Sequence, residues 1–175
     1  MTEKIPLALY IHIPWCEKKC PYCDFNSHLA RAKVDETQYV QALLDDLQVD
    51  LSQYIEQVDG RHLSSIFIGG GTPSLFSANS YARLLRGVEE LIPFSSDIEI
   101  TTEANPGSSE VEKFKGFRDA GVNRLSIGIQ SFNGTHLQAL GRVHNQQEAL
   151  NAAVYAKQAG FTNFNLDLML SLIHI

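Results

Sequence analysis

Short runs in which apolar and polar residues alternate take turns along this chain with longer runs of helical spacing. Residues 7–14 read as a strand, and a loop that carries cysteines follows it. Residues 35–58 predict one long amphipathic helix, with Val40, Leu43, Leu44, Leu47 and Leu51 at helical spacing. Residues 65–68 form a strand ending in Gly69-Gly70-Gly71. A helix over 77–91 stops at Pro93, and a strand over 97–103 is broken by Asn105-Pro106-Gly107. A helix over 109–120 ends at Gly121, the favoured residue for a helix stop, and a strand over 123–130 follows. Helical stretches at 135–140 and 146–159 come next; Gly160 ends the second, and 163–169 is the fifth strand. Five strands separated by helices predict an α/β architecture, either a parallel sheet or a barrel. There is no internal repeat and no low-complexity linker.

The strands carry a second pattern. Leu7, Leu9, Ile11 and Ile13 alternate with Ala8, Tyr10 and His12; Ile98 and Ile100 alternate with Glu99, Thr101 and Glu103. Leu125, Ile127 and Ile129 alternate with Arg124, Ser126, Gly128 and Gln130; Phe164, Leu166 and Leu168 alternate with Asn163, Asn165 and Asp167. Side chains on a strand point to opposite faces in turn, so each strand has one greasy face and one polar face. A parallel sheet covered on both faces is apolar on both, and a filled barrel has aliphatics inside. A barrel with helices outside and a polar cavity inside fits instead, because a charged cofactor gives buried polar groups their partners. The alternative is an antiparallel sheet with one wet face, against which the intervening helices argue.

Composition narrows the picture. A chain of 175 residues, 44% hydrophobic, has room for one domain with a real core. No apolar run reaches membrane-spanning length, and residues 1–6 lead straight into a strand pattern without a signal peptide. These features predict a cytoplasmic protein in a reducing compartment, with no transmembrane segment. The net charge is −6 and no Lys/Arg cluster stands out, which argues against a nucleic-acid partner.

All three cysteines, Cys16, Cys20 and Cys23, fall within eight residues. An odd number packed that tightly is a poor disulfide framework and points to a metal centre. The loop sits just after the first strand, at the end where barrel active sites are built. Cysteine thiolates are the usual ligands of iron–sulfur clusters, and three of them on a four-iron cluster leave one iron open to a chelating small molecule. The competing reading is zinc, with His12 or His28 completing a Cys3His site.

The spacing Cys-x3-Cys-x2-Cys after a strand resembles the signature of the radical S-adenosylmethionine superfamily. Five blocks narrow the resemblance: Tyr10-Ile-His-Ile-Pro-Trp-Cys16, Gly69-Gly-Gly-Thr-Pro-Ser74, Thr102-Glu-Ala-Asn-Pro-Gly107, Ile127-Gly-Ile-Gln-Ser-Phe132 and Leu140-Gly-Arg-Val-His144. Together, in this order, they resemble the family of oxygen-independent coproporphyrinogen III oxidase and its heme-chaperone (HemW-type) branch, over residues 6–169. The resemblance implies a partial (β/α) barrel of the radical SAM type, ending after about five strands. It implies a 4Fe-4S cluster on Cys16, Cys20 and Cys23, and one or two molecules of S-adenosylmethionine. Tyr10 and Tyr22 would contact that cofactor, and Gly70, Gly71 and Thr72 would bring backbone close to its methionine end. Glu103 would accept hydrogen bonds from it, and Gln130, Arg142 and Asp167 would complete the pocket. The strand pattern agrees independently, because Tyr10, Glu103, Gln130 and Asp167 all lie on the polar parity near strand ends. His12 shares that face and is assigned no role.

The two branches differ beside the cluster. The oxidase branch commonly has a fourth cysteine two residues after the third; here Cys23-Asp24-Phe25-Asn26 lacks it. The resemblance therefore implies a heme chaperone, with heme or a porphyrinogen as partner and an electron donor such as flavodoxin. The alternatives are a coproporphyrinogen dehydrogenase, an oxidoreductase acting by oxidative decarboxylation, and a zinc-stabilised interaction protein. Residues 170–175, Leu-Ser-Leu-Ile-His-Ile, lack the turn that should follow the fifth strand and match a translated transposase sequencing adapter. The expectation is a native segment over 1–169, the N-terminal part of a radical SAM core, followed by a non-native tail. The last strand would then be an open edge, prone to aggregation.

Overall fold

The structure is a computed structural model that describes residues 5–107 and 110–170; residues 171–175 of the expected tail lie outside them. In chain order the elements are β1 (Leu7–Ile13), β2 (Trp15–Cys16), β3 (His28–Leu29), α1 (Glu36–Gln53), α2 (Ile55–Val58) and β4 (Leu63–Gly70). A 3-10 turn (Pro73–Leu75), α3 (Ala78–Leu91), β5 (Phe94–Ala104), α4 (Glu110–Asp119) and β6 (Arg124–Gln130) follow. Then come α5 (Gly134–Ala139), α6 (Gln146–Gln158) and β7 (Phe164–Leu168).

The main sheet is parallel throughout, in the order β1-β4-β5-β6-β7. Each strand is laid beside its predecessor, always in the same direction. Because parallel crossovers are right-handed, such winding keeps every connecting helix on one side. The helices pack on one another in sequence, α1 on α3, α3 on α4 and α4 on α6. This is the wall of a barrel, with its other face left for a cavity.

The aliphatic parity of the strands faces the helices. Ile13, Ile66, Ile68, Leu125, Ile127 and Ile129 are buried there, against Tyr81, Leu84, Phe114, Phe117 and Phe161. Each such side chain contributes about 1.5–3 kcal/mol on burial. Helix starts are fixed by side chains: Asp35 caps α1 on the Gln38 amide, Ser77 caps α3 on the Ser80 amide, and Asn145 and Glu148 form a capping box on α6. Glu36 Oε2 also accepts from Ser77 N, Ser77 Oγ and Ser80 Oγ, which ties α1 to α3.

The polar parity forms a hydrogen-bonded floor on the opposite face. Arg124 donates to Thr101 Oγ1 and Asn165 Oδ1, Asn165 Nδ2 donates to Ser126 Oγ and Asp167 Oδ1, and Ser126 Oγ donates to Asp167 Oδ2. Polar groups removed from water need such partners.

Three features depart from the sequence pattern. The helix expected over 35–58 breaks at Tyr54, whose ψ is 25°. Beyond Leu51 the apolar stripe ends, with Tyr54 and Ile55 exposed, so packing no longer supports the helix. The strand expected over 65–68 runs through Gly70, and the one expected from 97 starts at Phe94, directly after Pro93. The cysteine loop is closed by a small parallel ladder of β2 and β3, in which His28 N donates to Pro14 O and Ala30 N to Cys16 O, at 2.7 and 2.9 Å. Among the described residues, no helix is long and apolar enough to cross a membrane.

Candidate cofactor site

The C-terminal ends of the strands and the cysteine loop enclose a cavity of about 590 Å³. Cys16 ends β2 and is buried; Cys20 and Cys23 are half-buried in the turn that Cys23 N closes on Cys20 O at 3.1 Å. All three are free thiols, and all three border the cavity.

The loop is held from both sides. His12 Nε2 lies 2.8 Å from the carbonyl of Asn26, which can only accept, so Nε2 carries the proton. His12 Nδ1 is then the acceptor, and Tyr10 Oη donates to it at 2.9 Å. His12, given no role from sequence, thus links β1 to the far end of the cysteine loop. On the other side the glycine segment presses on the chain just before Cys16. Gly71 N donates to Ile13 O at 2.8 Å and Thr72 N to Trp15 O at 2.7 Å. Gly70 has φ +120°, and a Cβ there would sit 2.6 Å from His12 Cε1. A Cβ on Gly71 would lie 2.6 Å from Trp15 O. Neither position has space for a side chain, and the first also requires backbone that only glycine adopts readily.

Glu103, at the end of β5, accepts from Gly70 N at 3.0 Å. Burial pushes its carboxyl above the usual range; the Asp167 charge pushes the same way, while the Gly70 amide and His12 oppose it. Burial likewise raises the Tyr22 phenol, so Tyr22 stays a neutral hydroxyl. Gln130 ends β6 in left-handed backbone, φ +61°, and its buried Oε1 has no hydrogen-bond partner. Such a conformation at a strand end stores strain that the surroundings must hold. Arg142, in the turn after α5, donates through Nη2 to Asn105 Oδ1 and Gly128 O, both at 2.8 Å. Its Nη1 lies 3.4 Å from Tyr22 Oη and 3.5 Å from Cys20 Sγ.

Of the residues singled out from sequence, Cys16, Cys20, Cys23, Tyr22, Gly70, Gly71, Thr72, Glu103, Gln130, Arg142 and Asp167 border this one cavity. Tyr10 does not. It stacks on Phe67, which does, with ring centroids 6.3 Å apart, and its hydroxyl is hydrogen-bonded to His12. Sequence reading passed over Asn105, Ser126 and Phe67, which also line the cavity. Ser126 was readable as a member of the polar parity and Asn105 as the residue after the strand end; Phe67 breaks its strand's pattern and gave no signal.

The donor set fits an iron–sulfur cluster with a polar small-molecule cofactor beside it. Three thiols from one loop share the cavity with a buried, unpartnered amide oxygen, a guanidinium and the carboxylates of Glu17, Glu103 and Asp167. Among the described residues no three His, Cys, Asp or Glu side chains are gathered to hold a single metal ion.

Comparison with known proteins agrees with this geometry. Residues 10–174 match the family model described as the radical SAM superfamily. The chain is 57% identical over 169 residues to the heme chaperone HemW of Haemophilus influenzae and 52% identical to that of Escherichia coli, covering 97% of this chain and 44% of each relative. The chain therefore spans less than half the length of these curated relatives. Among solved structures, coproporphyrinogen III oxidase (HemN) of Escherichia coli superposes with a TM-score of 0.75 at 32% identity, over 93% of this chain and 37% of that one.

Proposed function

The chain belongs to the radical SAM superfamily, whose cofactors are a 4Fe-4S cluster and S-adenosylmethionine, and from that premise we propose that Cys16, Cys20 and Cys23 hold the cluster and that the full-length protein is a heme chaperone. The observation that carries the cofactor site is the meeting of three free thiols of one loop with the polar ends of β5, β6 and β7 around one cavity. When bound, these groups supply one-electron radical chemistry, and the protein's part is to position and shield them.

The chain's own residues divide that task. Cys16, Cys20 and Cys23 would hold the cluster through three thiolates, a ligand set that would leave room for a chelating amino acid moiety. Gly70, Gly71 and Thr72 bring main chain to the cavity edge where side chains do not fit. Glu103, fixed by the Gly70 amide, offers its remaining carboxyl oxygen to an ammonium or hydroxyl donor. Asp167, braced by Ser126 and Asn165, is a second acceptor, suited to vicinal hydroxyls. Gln130 offers a carbonyl oxygen and Arg142 a positive charge, and Tyr22 covers the rim with an aromatic face. Tyr10 serves as a contact for S-adenosylmethionine from the polar face of β1, and through His12 it also ties β1 to Asn26 of the cysteine loop.

The chaperone reading is supported by the HemW relatives and by Asp24-Phe25-Asn26 standing where a fourth cysteine would mark the oxidase branch. The superposition on coproporphyrinogen III oxidase favours the second reading, an oxidative decarboxylase of porphyrinogen propionates. Heme or a porphyrinogen as partner, a flavodoxin-like electron donor, no nucleic-acid partner and a reducing cytoplasmic setting belong to the same proposal. Heme or a porphyrinogen is supported by the relatives matched, the reducing setting by the free thiols, and the lack of a nucleic-acid partner by the net charge of −6.

Anaerobic reconstitution of the full-length protein tests it. The expected result is about four irons per chain and a charge-transfer spectrum that S-adenosylmethionine perturbs, both lost in Cys16→Ser, Cys20→Ser and Cys23→Ser. Stoichiometric heme binding without consumption of coproporphyrinogen supports the chaperone; turnover with S-adenosylmethionine and reductant overturns it for the oxidase. A colourless, iron-free protein holding one zinc overturns both.

A further inference from the structure

We propose that Arg142 sets the redox poise of the site, by donating a hydrogen bond to the Cys20 sulfur and raising the reduction potential of the cluster that Cys20 ligates. The proposal rests on the cluster reading above and goes beyond it, because there Arg142 serves only as a positive charge in the pocket.

The geometry is specific. Arg142 Nη1 reaches Cys20 Sγ at 3.5 Å, within range for N–H···S, while Nη2 is held at 2.8 Å by both Asn105 Oδ1 and Gly128 O. The guanidinium is therefore fixed by the ends of β5 and β6 and does not depend on the cysteine loop for its place. Its backbone is fixed as well. Arg142 N donates to Leu137 O at 3.0 Å, which ends α5. His144, two residues on and 5% exposed, donates from Nε2 to Ile129 O at 3.0 Å. Gly141, at φ +68°, brings the turn so close to the cysteine loop that a Cβ there would lie 3.0 Å from Pro21 Cδ. Among the described residues, Arg142 is the only cation with a hydrogen bond to a cysteine sulfur. Lys19, beside Cys20, is directed instead at Ser27 O.

The consequence follows from electrostatics. Reduction adds one electron to a cluster and its thiolates, and the added negative charge is shared with the sulfurs. A donor on one sulfur, carrying a positive charge, stabilises the reduced form more than the oxidised form. Hydrogen bonds to cluster sulfurs and local charge are two of the protein's means of setting a cluster potential. Because Asn105 and Gly128 hold the guanidinium in advance, little reorganisation accompanies electron arrival.

The test is a potentiometric titration of the reconstituted full-length protein, followed by EPR in the absence of S-adenosylmethionine. Wild type, Arg142→Gln, Arg142→Lys and Asn105→Ala are compared at equal iron content. Arg142→Gln is expected to shift the midpoint to more negative potential. Arg142→Lys, which keeps the charge but not the planar fork, falls between the two. Asn105→Ala keeps Arg142 but frees one anchor and shifts the midpoint the same way by less. A midpoint in Arg142→Gln equal to wild type overturns the proposal. If that variant fails to take up iron, an unchanged midpoint in Asn105→Ala overturns it. Absence of a cluster from wild type would instead overturn the cluster reading itself.

Discussion

Gly71→Ala is the sharpest test of how the fold places the first cysteine. An added Cβ would lie 2.6 Å from Trp15 O and 2.7 Å from both Pro14 C and Pro14 O, where ordinary contact begins at 3.4 Å. All three are backbone atoms, so no rotamer change relieves the clash. The link between β1 and β2 must move by about 0.8 Å, a displacement typical of overpacked sites that cost about 1–3 kcal/mol. That link is held by two hydrogen bonds, Gly71 N to Ile13 O and Thr72 N to Trp15 O. Weakening both adds about 1 kcal/mol each. The total, about 3–5 kcal/mol, is a large part of a stability that for single domains is about 5–15 kcal/mol. Most of the chain's secondary structure is remote from this contact and should persist. Trp15 leads directly into Cys16, so the displacement enters the first ligand, and iron uptake should fall well below wild type. Urea denaturation of the metal-free full-length protein, followed by circular dichroism, measures the first effect, and iron analysis after reconstitution measures the second. Unchanged stability, within about 0.5 kcal/mol, would refute the steric argument. A clear loss of stability with full iron content would refute the link between Gly71 and Cys16.

Three further outcomes follow from the same geometry. Glu103→Gln keeps the shape beside Gly70 but removes the charge. Titration calorimetry of the reconstituted protein should show S-adenosylmethionine binding weakened at least about tenfold, or roughly 1.4 kcal/mol, with iron content unchanged; equal affinity would remove Glu103 from the site. His144 is pulled down from its ordinary value to about 4, first by burial and then by the Arg142 charge. The folded state therefore holds His144 neutral while the unfolded chain protonates it. Its contribution is complete above about pH 6.5 and is lost as pH falls towards 4, on the order of 2 kcal/mol after allowance for solvent screening. His144→Gln should flatten the urea midpoint over that window, and an unchanged slope would count against the assignment. Finally, the amides of His28 and Ala30, bonded to Pro14 O and Cys16 O, should resist hydrogen exchange even without metal. Exchange at unprotected rates until iron is added would show that the cluster, and not the sheet, shapes the loop.

The architecture was legible because the sheet is wound in one direction. Helices cover one face only, so each strand writes leucine and isoleucine on one parity and polar residues on the other. What failed to show is held by backbone or by exchange of faces. The β2–β3 ladder is two residues long and rests on main-chain amides, with no side-chain alternation to reveal it. Thr102 lies on the helix parity because the buried Tyr81 hydroxyl meets it at 2.6 Å. Phe67 lies on the polar parity, stacked beneath Tyr10. The break at Tyr54 follows from missing tertiary contacts, which a helical period running past Leu51 cannot report.

The site residues were legible one at a time, but their dependence on one another was not. His12 read as an interior histidine without a role; in the structure its two ring nitrogens join Tyr10 to Asn26, and its ring occupies the space that Gly70 leaves free. Arg142 read as a pocket charge or a surface loop residue. Its side chain is fastened to two strand ends before it reaches the cysteine loop. In both cases the sheet grips the loop, at Asn26 through His12 and at Cys20 through Arg142. The cysteine loop is thus positioned by rigid elements that owe nothing to the metal, which is the arrangement required if ligand geometry is to be set before the cofactor arrives. A sequence records which residues stand at those ends; that they fasten one loop from two directions emerges only when β1, β4, β5 and β6 are assembled into one sheet.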